Sequence, residues 1–311
     1  MRATRRRVQD AASDAAQFRQ NRPEEVAMQD QYLVDQFSQN GYLIVQGLFP
    51  REEAQHWCQR YTTMRTSGTY PLDHKGVDTD DADPILQYPR MTHIQRWDRN
   101  SLTLLTDPRL NRYLTHLMGQ EPCLVQGMVY FKPPGSRGQA MHQDQFYLKV
   151  QPGTCIAVWI ALERSDEDNG CLHVVPGSHK LPILCTEEAD TTRSFTDIAV
   201  PVPQGMEAVP LVMDAGDAVF FNGALIHGSP PNTSTDRFRR ALTSHYIAAS
   251  AEKVAAYYHP VFRMDGSQVE IGTSEGGGPC GVWVDRDGVP VAEIQEEGPW
   301  KPQIQGIRQD E

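Results

Sequence analysis

The sequence predicts a mainly β (α+β) protein, built as an antiparallel barrel or jelly roll with helices in front of it. From residue 121 onward, short apolar runs such as CLVQGMVYFK, CIAVWIAL and RALTSHYIAA alternate with turns rich in Gly and Pro. That pattern is typical of an all-β barrel or sandwich. The strands do not alternate with helical segments as a doubly wound parallel sheet would require.

Helices and one short strand are predicted before residue 121. MQDQYLVDQF has apolar residues at helical spacing, Asn40-Gly41 ends that helix, and residues 42–45 form a short strand. Pro50 and the acids after it mark the start of a second helix. Residues 101–118 are predicted as a third helix, and residues 66–84 as a polar, acidic loop.

One catalytic domain is predicted, with an addition at each end. We expect a solvated helical arm over residues 1–27, the β domain with its helical N-terminal part over 28–250, and a packed C-terminal extension over 251–311. Asp287-Gly288 lies between alternating apolar residues and predicts a β-hairpin in that extension. Residues 183–210 form a long connection between core strands, and such connections are usually covers over a site or disordered.

Composition and charge exclude several classes of function. The 311 residues are 39% hydrophobic and carry a net charge of -11, so nucleic acids and anionic membranes are poor partners and a small molecule is expected. No apolar run has the length of a membrane span, and no secretory signal follows the first arginines. The six cysteines contain no CxxC pair. Several lie in apolar runs and are interpreted as buried thiols, which predicts a reducing compartment, the cytoplasm. No oligomeric state is indicated.

A candidate metal site begins with His142 and Asp144 in AMHQDQFYL. Alternate residues of a strand face the same side, so a strand here would place both side chains on one face. A triplet of this kind is a weak signal by itself, and alone it fits solvated polar residues on an edge strand.

A second region, LIHGSPPNTSTDRFRRAL, strengthens that interpretation. His227 closes an apolar run, where an isolated histidine would be a packed core residue, and Ser229 shares its face. Two histidines and one carboxylate form the facial triad that is diagnostic of non-haem Fe(II) oxygenases. Arg239 and Arg240 face opposite ways. An arginine turned into a barrel requires an anion, which a dicarboxylic cosubstrate would supply.

The sequence resembles the phytanoyl-CoA dioxygenase family of Fe(II)/2-oxoglutarate oxygenases over roughly residues 30–250. The segments that carry the resemblance are GYLIVQGLF, MVYFKPPGS, HQDQFY, VWIALERSDEDNGCLHVVPGSHK, GDAVFFNGALIHGSPPNTS and FRRAL. It implies a double-stranded β-helix, a cupin-like jelly roll with flanking N-terminal helices. It also implies His142, Asp144 and His227 as the catalytic iron ligands, and Fe(II), 2-oxoglutarate and O₂ as the cofactors.

The resemblance further implies which residues bind the cosubstrate. The residues at the matching positions are Arg239, Ser229, Met128, Trp159, Gln143 and His93. Arg239 matches the arginine that binds the distal carboxylate of 2-oxoglutarate. The contact expected of Gln143 is through its main chain. His93, in THIQRW, departs from the family pattern, which often has a lysine there, because histidine is shorter and can be neutral.

The activity implied is hydroxylation of an unactivated C–H bond in a small molecule of specialised metabolism, with release of succinate and CO₂. Asp144 favours hydroxylation over halogenation, since halogenases of this fold have a small residue there. Desaturation, demethylation and cyclisation stay open, because substrate placement within about one ångström decides between them. The basic residues near the pocket segments, Lys132, Arg137 and Lys149, are few for an acyl-CoA substrate.

Two alternatives belong to other classes. A cupin-like metal enzyme that does not use 2-oxoglutarate would share the triad but would not need Arg239. A non-catalytic jelly-roll binding module would need neither the arginine nor an intact set of metal ligands.

Overall fold

The computed structural model describes residues 23–68, 70, 82–275, 280–286 and 289–295. Most of the arm predicted over residues 1–27 and of the acidic loop predicted over 66–84 therefore lies outside the described residues. The Asp287-Gly288 turn lies outside them as well. Among the described residues, none of the helices combines the length and the apolar character that a membrane span requires.

The helices come mainly before the large strands, as predicted. They are α1 (Pro23–Asn40), α2 (Arg51–Thr66), α3 (Pro84–Gln87), α4 (Arg99–Leu105), α5 (Pro108–Met118) and α6 (Gln145–Leu148). α1 ends at Gly41, whose φ of +83° suits glycine. The single helix predicted over 101–118 is divided, because Asp107 accepts a hydrogen bond from the Arg109 N–H and, with Pro108, starts a new helix.

The strands form two antiparallel sheets and some short pairs. Their bounds are β1 (Tyr42–Val45), β2 (Met91–Thr92), β3 (Pro122–Lys132), β4 (Gln139–His142), β5 (Ile156–Ala161), β6 (Leu172–Val174), β7 (Glu187–Glu188), β8 (Ile198–Ala199), β9 (Val209–Leu211), β10 (Ala218–Asn222), β11 (His227–Ser229), β12 (Arg239–Ala248), β13 (Lys253–Ala255), β14 (Val261–Arg263), β15 (Gln268–Val269), β16 (Gly272–Ser274), β17 (Cys280–Arg286) and β18 (Val289–Gln295). The eight-stranded sheet has the order β1-β10-β5-β12-β3-β14-β15, with β2 also on β3, and the four-stranded sheet has the order β4-β11-β6-β9.

The central strand β5 shows how the layers pack. Ile156, Val158 and Ile160 face the helices, while Ala157 and Trp159 face the space between the two sheets. A strand buried on both faces has a continuous apolar sequence, and this explains the uninterrupted IAVWIA. The predicted jelly roll is confirmed, and the inner face of the large sheet forms one wall of the space that holds the site.

Two predicted strands differ from the structure. The HQD segment is not one strand: β4 ends at His142, and Asp144 has helical angles at the start of α6. The run DAVFFNGALIH is also divided. β10 ends at Asn222 in the large sheet, and His227 begins β11 in the small one. Because both halves are buried, their apolar character does not reveal the change of sheet.

The C-terminal extension contains the predicted hairpin, since β17 pairs with β18 and Arg286 lies opposite Val289.

The cysteine prediction is partly wrong. Cys185 and Cys280 form a disulfide across a sequence separation of 95 residues, whereas the free cysteines Cys58, Cys123, Cys155 and Cys171 are buried. The cytoplasmic location, which depended on free thiols, stays a prediction.

Candidate metal centre and active site

Two histidines and one carboxylate meet at one end of the small sheet. The pairing of β4 with β11 places His142 opposite His227, with ring centroids 4.1 Å apart. Asp144 Oδ1 lies 3.5 Å from His142 Nε2 and 3.7 Å from His227 Nε2. The three buried residues offer ligand atoms within 4.8 Å of one another. The structure thus brings together the ligands that the resemblance implies.

The backbone assigns the tautomer of both histidines. His142 Nδ1 lies 2.9 Å from the Ala140 carbonyl oxygen, and His227 Nδ1 lies 2.9 Å from the Leu225 carbonyl oxygen. A carbonyl oxygen only accepts, so each Nδ1 carries the proton and each Nε2 keeps its lone pair. Both lone pairs face Asp144, which is the donor arrangement that a metal ion requires.

His245 holds the other oxygen of the carboxylate. Its Nε2 lies 3.0 Å from Asp144 Oδ2, and both side chains are buried. Oδ2 therefore accepts a hydrogen bond while Oδ1 faces the two ligand histidines. This second contact orients the carboxylate so that one oxygen is directed at the metal position.

Electrostatics keep His227 and Asp144 in the protonation states that a metal needs. Burial lowers the pKa of His227 to about 4, helped by neighbouring His142, so its imidazole is neutral near pH 7. Burial alone would raise the pKa of Asp144. The histidines around it outweigh burial, and the pKa lies well below its usual value. A neutral His227 imidazole and an ionised carboxylate fit Fe(II) with open positions.

A cavity of about 1140 Å³ adjoins the three ligands. Met128, Trp159, Ser229 and Arg239 line it, together with the triad. Four of the six predicted cosubstrate residues therefore line the cavity beside the metal ligands. The volume lies slightly above the range of about 300–1,000 Å³ that is usual for small-molecule sites, so it accommodates a cosubstrate and a second small molecule.

The inward face of β12 carries buried polar atoms that have no protein partner. They belong to Arg239 (Nε), Thr243 (Oγ1) and His245 (Nδ1). Burial lowers the pKa of Arg239 to about 10, so it stays charged near neutral pH. The Arg239 Cζ lies 5.5 Å from the Trp159 ring centroid. No carboxylate of the described chain pairs with it, and a buried cation of this kind fits an anionic cosubstrate.

Lys132 positions the Ser229 side chain through a hydrogen bond. Its Nζ donates hydrogen bonds to Ser229 Oγ at 2.8 Å, to the Pro230 carbonyl at 2.6 Å and to the Gly170 carbonyl at 3.1 Å. Burial and the charge of Arg239 lower its pKa well below the usual value. Lys132 therefore holds the Ser229 hydroxyl in place, and protein acceptors take all three of its hydrogen bonds.

The structure does not bring two of the predicted side chains to the cavity. His93 is buried with its ring centroid 4.5 Å from that of Tyr257, and burial together with Arg96 lowers its pKa to about 3. The Gln143 side chain donates to the Ala224 carbonyl and accepts from the Leu184 N–H, both at 2.8 Å. The main-chain contact expected of Gln143 stays a prediction.

Sequence reasoning missed Arg90, and it left open whether His245, on the same strand face as Arg239, reaches the pocket. His245 has the correct strand phase, two residues beyond Thr243 on the face of Arg239, and this phase was the available signal. Arg90 lines the cavity but precedes a strand of only two residues, so no periodicity identifies it. Tyr130 and Tyr147 also line the cavity, whereas Phe146 does not.

Comparisons with known proteins show which family the chain belongs to. The model of the family "Phytanoyl-CoA dioxygenase (PhyH)" matches residues 37–241. The peroxisomal phytanoyl-CoA dioxygenase of Homo sapiens is 27% identical over 70% of this chain and 68% of its own length. Phytanoyl-CoA dioxygenase 1 of Oryza sativa subsp. japonica is 38% identical over 41% of this chain and 46% of its own length.

A solved structure shares the fold. The epimerase SnoN, in complex with Fe3+, alpha ketoglutarate and nogalamycin RO, superposes with a TM-score of 0.59 at 23% identity, over 73% of this chain and 86% of that chain. The match to residues 37–241 covers more than half of the 311-residue chain. The chain therefore belongs to the phytanoyl-CoA dioxygenase family and is a dioxygenase whose cofactors are Fe(II), 2-oxoglutarate and O₂.

Proposed function

We propose that the protein hydroxylates an unactivated C–H bond of a small molecule in specialised metabolism, converting 2-oxoglutarate to succinate and CO₂. The observation that carries the proposal is the buried group His142, Asp144 and His227 beside the unpaired Arg239. The metal, with 2-oxoglutarate and O₂, supplies the oxidant when bound. The protein supplies the ligands, the cosubstrate contacts and a cavity that restricts water.

Each cosubstrate residue has a distinct part in this proposal. Arg239 forms a charge-assisted bond with the distal carboxylate of 2-oxoglutarate, and Ser229, held by Lys132, adds a hydroxyl donor. Met128 and Trp159 cover the apolar part of the cosubstrate. Asp144 occupies the position that a halide would need, which favours transfer of oxygen.

The outcome of the reaction depends on where the substrate lies. SnoN, which shares this fold, is an epimerase, so the fold accommodates outcomes other than hydroxylation. The cavity accepts a second small molecule beside the cosubstrate, which supports a substrate held within reach of the metal. Screening a metabolite library for substrate-dependent succinate, with mass spectrometry of the products, identifies both substrate and outcome.

The decisive test compares two neighbouring arginines. We expect Arg239→Gln to raise the Kd of 2-oxoglutarate by about 10- to 100-fold, because a charge-assisted contact is lost. The readout is an anaerobic titration of the Fe(II)-loaded protein with 2-oxoglutarate, in which the weak visible charge-transfer band is monitored. Formation of that band also tests for direct chelation, which the alternative cupin-like enzyme and the binding module would lack.

Arg240→Gln is the matched control. Arg240 is adjacent in sequence but faces the other way, with its Nε 3.1 Å from Glu163 Oε1, and it does not line the cavity. We expect its Kd for 2-oxoglutarate to equal that of the wild type. Equal losses in both variants would show that Arg239 is not the cosubstrate residue.

A further inference from the structure

A second arginine lies in the cavity. Arg90 lines the same cavity as the triad, and its side chain is accessible from the cavity space. Its Cζ lies 6.0 Å from the Tyr130 ring centroid and 5.6 Å from that of Phe195. Phenol groups of Tyr257 and Tyr258 are further neighbours. Arg90 is therefore placed between aromatic walls that would hold the body of an apolar molecule.

Arg90 has no acidic partner in the part of the chain that the structure describes. The neighbouring polar groups are phenols, which donate hydrogen bonds to an anion as readily as they accept them from a guanidinium. An arginine that lines a cavity and has no carboxylate partner favours binding of an anion, because a carboxylate forms a charge-assisted, bidentate pair with the guanidinium.

The cosubstrate does not need this arginine. In the proposed function, one carboxylate of 2-oxoglutarate chelates the metal and the other meets Arg239 and Ser229. Tyr130 is a neighbour of both Arg239 and Arg90, so an anion at Arg90 would lie beside the cosubstrate. The remaining component of the reaction that enters the cavity is the substrate.

The charges of the cavity limit the kind of anion. The Lys and Arg residues that line it are Arg90, Lys132 and Arg239, and the carboxylates that line it are Asp144 and Asp197. Lys132 is already bound to Ser229 and two carbonyl groups. Arg137 is paired with Asp83 and lies outside the cavity lining. Arg90 is hydrogen-bonded to Tyr130 but has no carboxylate partner among the described residues. One such guanidinium matches one carboxylate, whereas the several phosphates of coenzyme A would require more cations.

We propose that Arg90 binds the carboxylate of the substrate, and that this substrate is a free organic acid with an apolar or aromatic body, not a coenzyme A thioester. The proposal rests on the proposed function, because it assigns Arg239 to 2-oxoglutarate. It names the substrate class of that same cavity.

The test uses matched compounds on the protein loaded with Mn(II) and N-oxalylglycine, an unreactive analogue of 2-oxoglutarate. A library of alkyl and aryl monocarboxylic acids, each with its primary amide and its coenzyme A thioester, is screened by thermal shift and then by calorimetry. We expect the acids that bind to do so about tenfold or more tightly than their amides, since a charge-assisted contact is involved. The thioesters should bind no better than the amides.

Variants assign the preference to Arg90. Arg90→Gln should weaken acid binding by about tenfold or more and leave amide binding unchanged, while Arg90→Lys should retain part of the preference. Arg164→Gln is the control, since Arg164 is exposed and paired with Asp214 at 2.8 Å. Its acid affinities should equal those of the wild type.

Several results would overturn the proposal. The first is that no acid of the library binds. The second is that Arg90→Gln binds the acids as tightly as the wild type does. The third is that the thioesters bind more tightly than the acids. A loss of N-oxalylglycine binding in Arg90→Gln as large as that in Arg239→Gln would assign Arg90 to the cosubstrate instead. Failure of the wild type to bind Mn(II) and N-oxalylglycine would reject the proposed function itself, so the two failures are distinguishable.

Discussion

The Asp144 carboxylate is divided between two kinds of partner. Its Oδ1 faces His142 and His227 at 3.5 and 3.7 Å, while its Oδ2 meets His245 Nε2 at 3.0 Å. A hydrogen bond to Oδ2 disfavours bidentate ligation, because that oxygen would have to leave its donor to reach the metal. His245 is therefore a positioning residue that helps keep a metal position open.

Removing that hydrogen bond should weaken metal binding. We expect His245→Ala to lower Mn(II) affinity by about 10- to 100-fold, as is typical when an outer partner of a ligand is removed. His245→Gln, which keeps an amide donor, should recover part of the loss. Calorimetric titration of the metal-free protein measures both. His56→Ala, at an exposed histidine of α2, should leave the affinity unchanged, and an unchanged affinity in His245→Ala would contradict the role of His245.

The sequence predicted single residues well where a simple period applies. Strand alternation placed Arg239 and Arg240 on opposite faces, the resemblance identified Arg239 as the cosubstrate residue, and the structure has Arg239 at the cavity. The same rule gave the right result for Asp144 for the wrong reason, because Asp144 follows the strand and reaches the metal position from the first turn of α6. Arg90 and His93 lie around a strand of two residues, where neither period holds and only tertiary contacts decide which side chain enters the cavity.

Among the structural elements, the connection over residues 183–210 covers the cavity and pairs with the strand that carries His142. Its β7–β8 hairpin extends from the edge of β4, through hydrogen bonds between Gly138 N–H and the Arg193 carbonyl at 2.8 Å and between Val200 N–H and the Met141 carbonyl at 2.7 Å. Thr191, Phe195 and Ile198 line the cavity. The predicted cover is therefore anchored directly to the metal-binding strand.

Ser194 provides a test of that anchor. Its buried Oγ accepts hydrogen bonds from the N–H groups of Ala140 at 2.9 Å and Thr196 at 3.0 Å. Ser194→Ala leaves those donors unpaired, so we expect the free energy of unfolding to fall by about 1–3 kcal/mol. Urea denaturation measures the change, and limited proteolysis should cut residues 183–210 faster. Thr192→Ala, on the exposed side of the same segment, should have little effect; losses of equal size in the two variants would contradict the anchoring role.

Element boundaries show what local patterns miss. Asp107-Pro108 divides one predicted helix into α4 and α5, because a capping side chain followed by proline restarts the helix. The turn after Asn222 transfers the chain from the large sheet to the small one and places His227 opposite His142. Both changes lie inside apolar patterns that continue without interruption, so periodicity alone does not locate them.

At the scale of the whole molecule, the disulfide joins the connection over residues 183–210 to the C-terminal extension, two segments that sequence reasoning treated separately. Cys185 begins the cover and Cys280 begins the C-terminal hairpin, 95 residues apart. Backbone hydrogen bonds accompany the link, from Cys185 N–H to the Gly281 carbonyl at 2.9 Å and from Gly281 N–H to the Ile183 carbonyl at 2.8 Å. A pairing over such a separation depends on the tertiary fold, which is why spacing does not reveal it.

This link should stabilise the protein against unfolding. A cross-link that closes a long loop reduces the entropy of the unfolded chain. The folded protein is thereby stabilised, typically by about 2–4 kcal/mol. We therefore expect the double variant Cys185→Ser, Cys280→Ser to lose about that free energy of unfolding, measured by guanidinium denaturation under oxidising conditions. A reductant should lower wild-type stability to the level of the variant and leave the variant itself unchanged. Wild-type stability that is insensitive to reductant, together with a free-thiol count of six, would show that Cys185 and Cys280 are not bonded in solution.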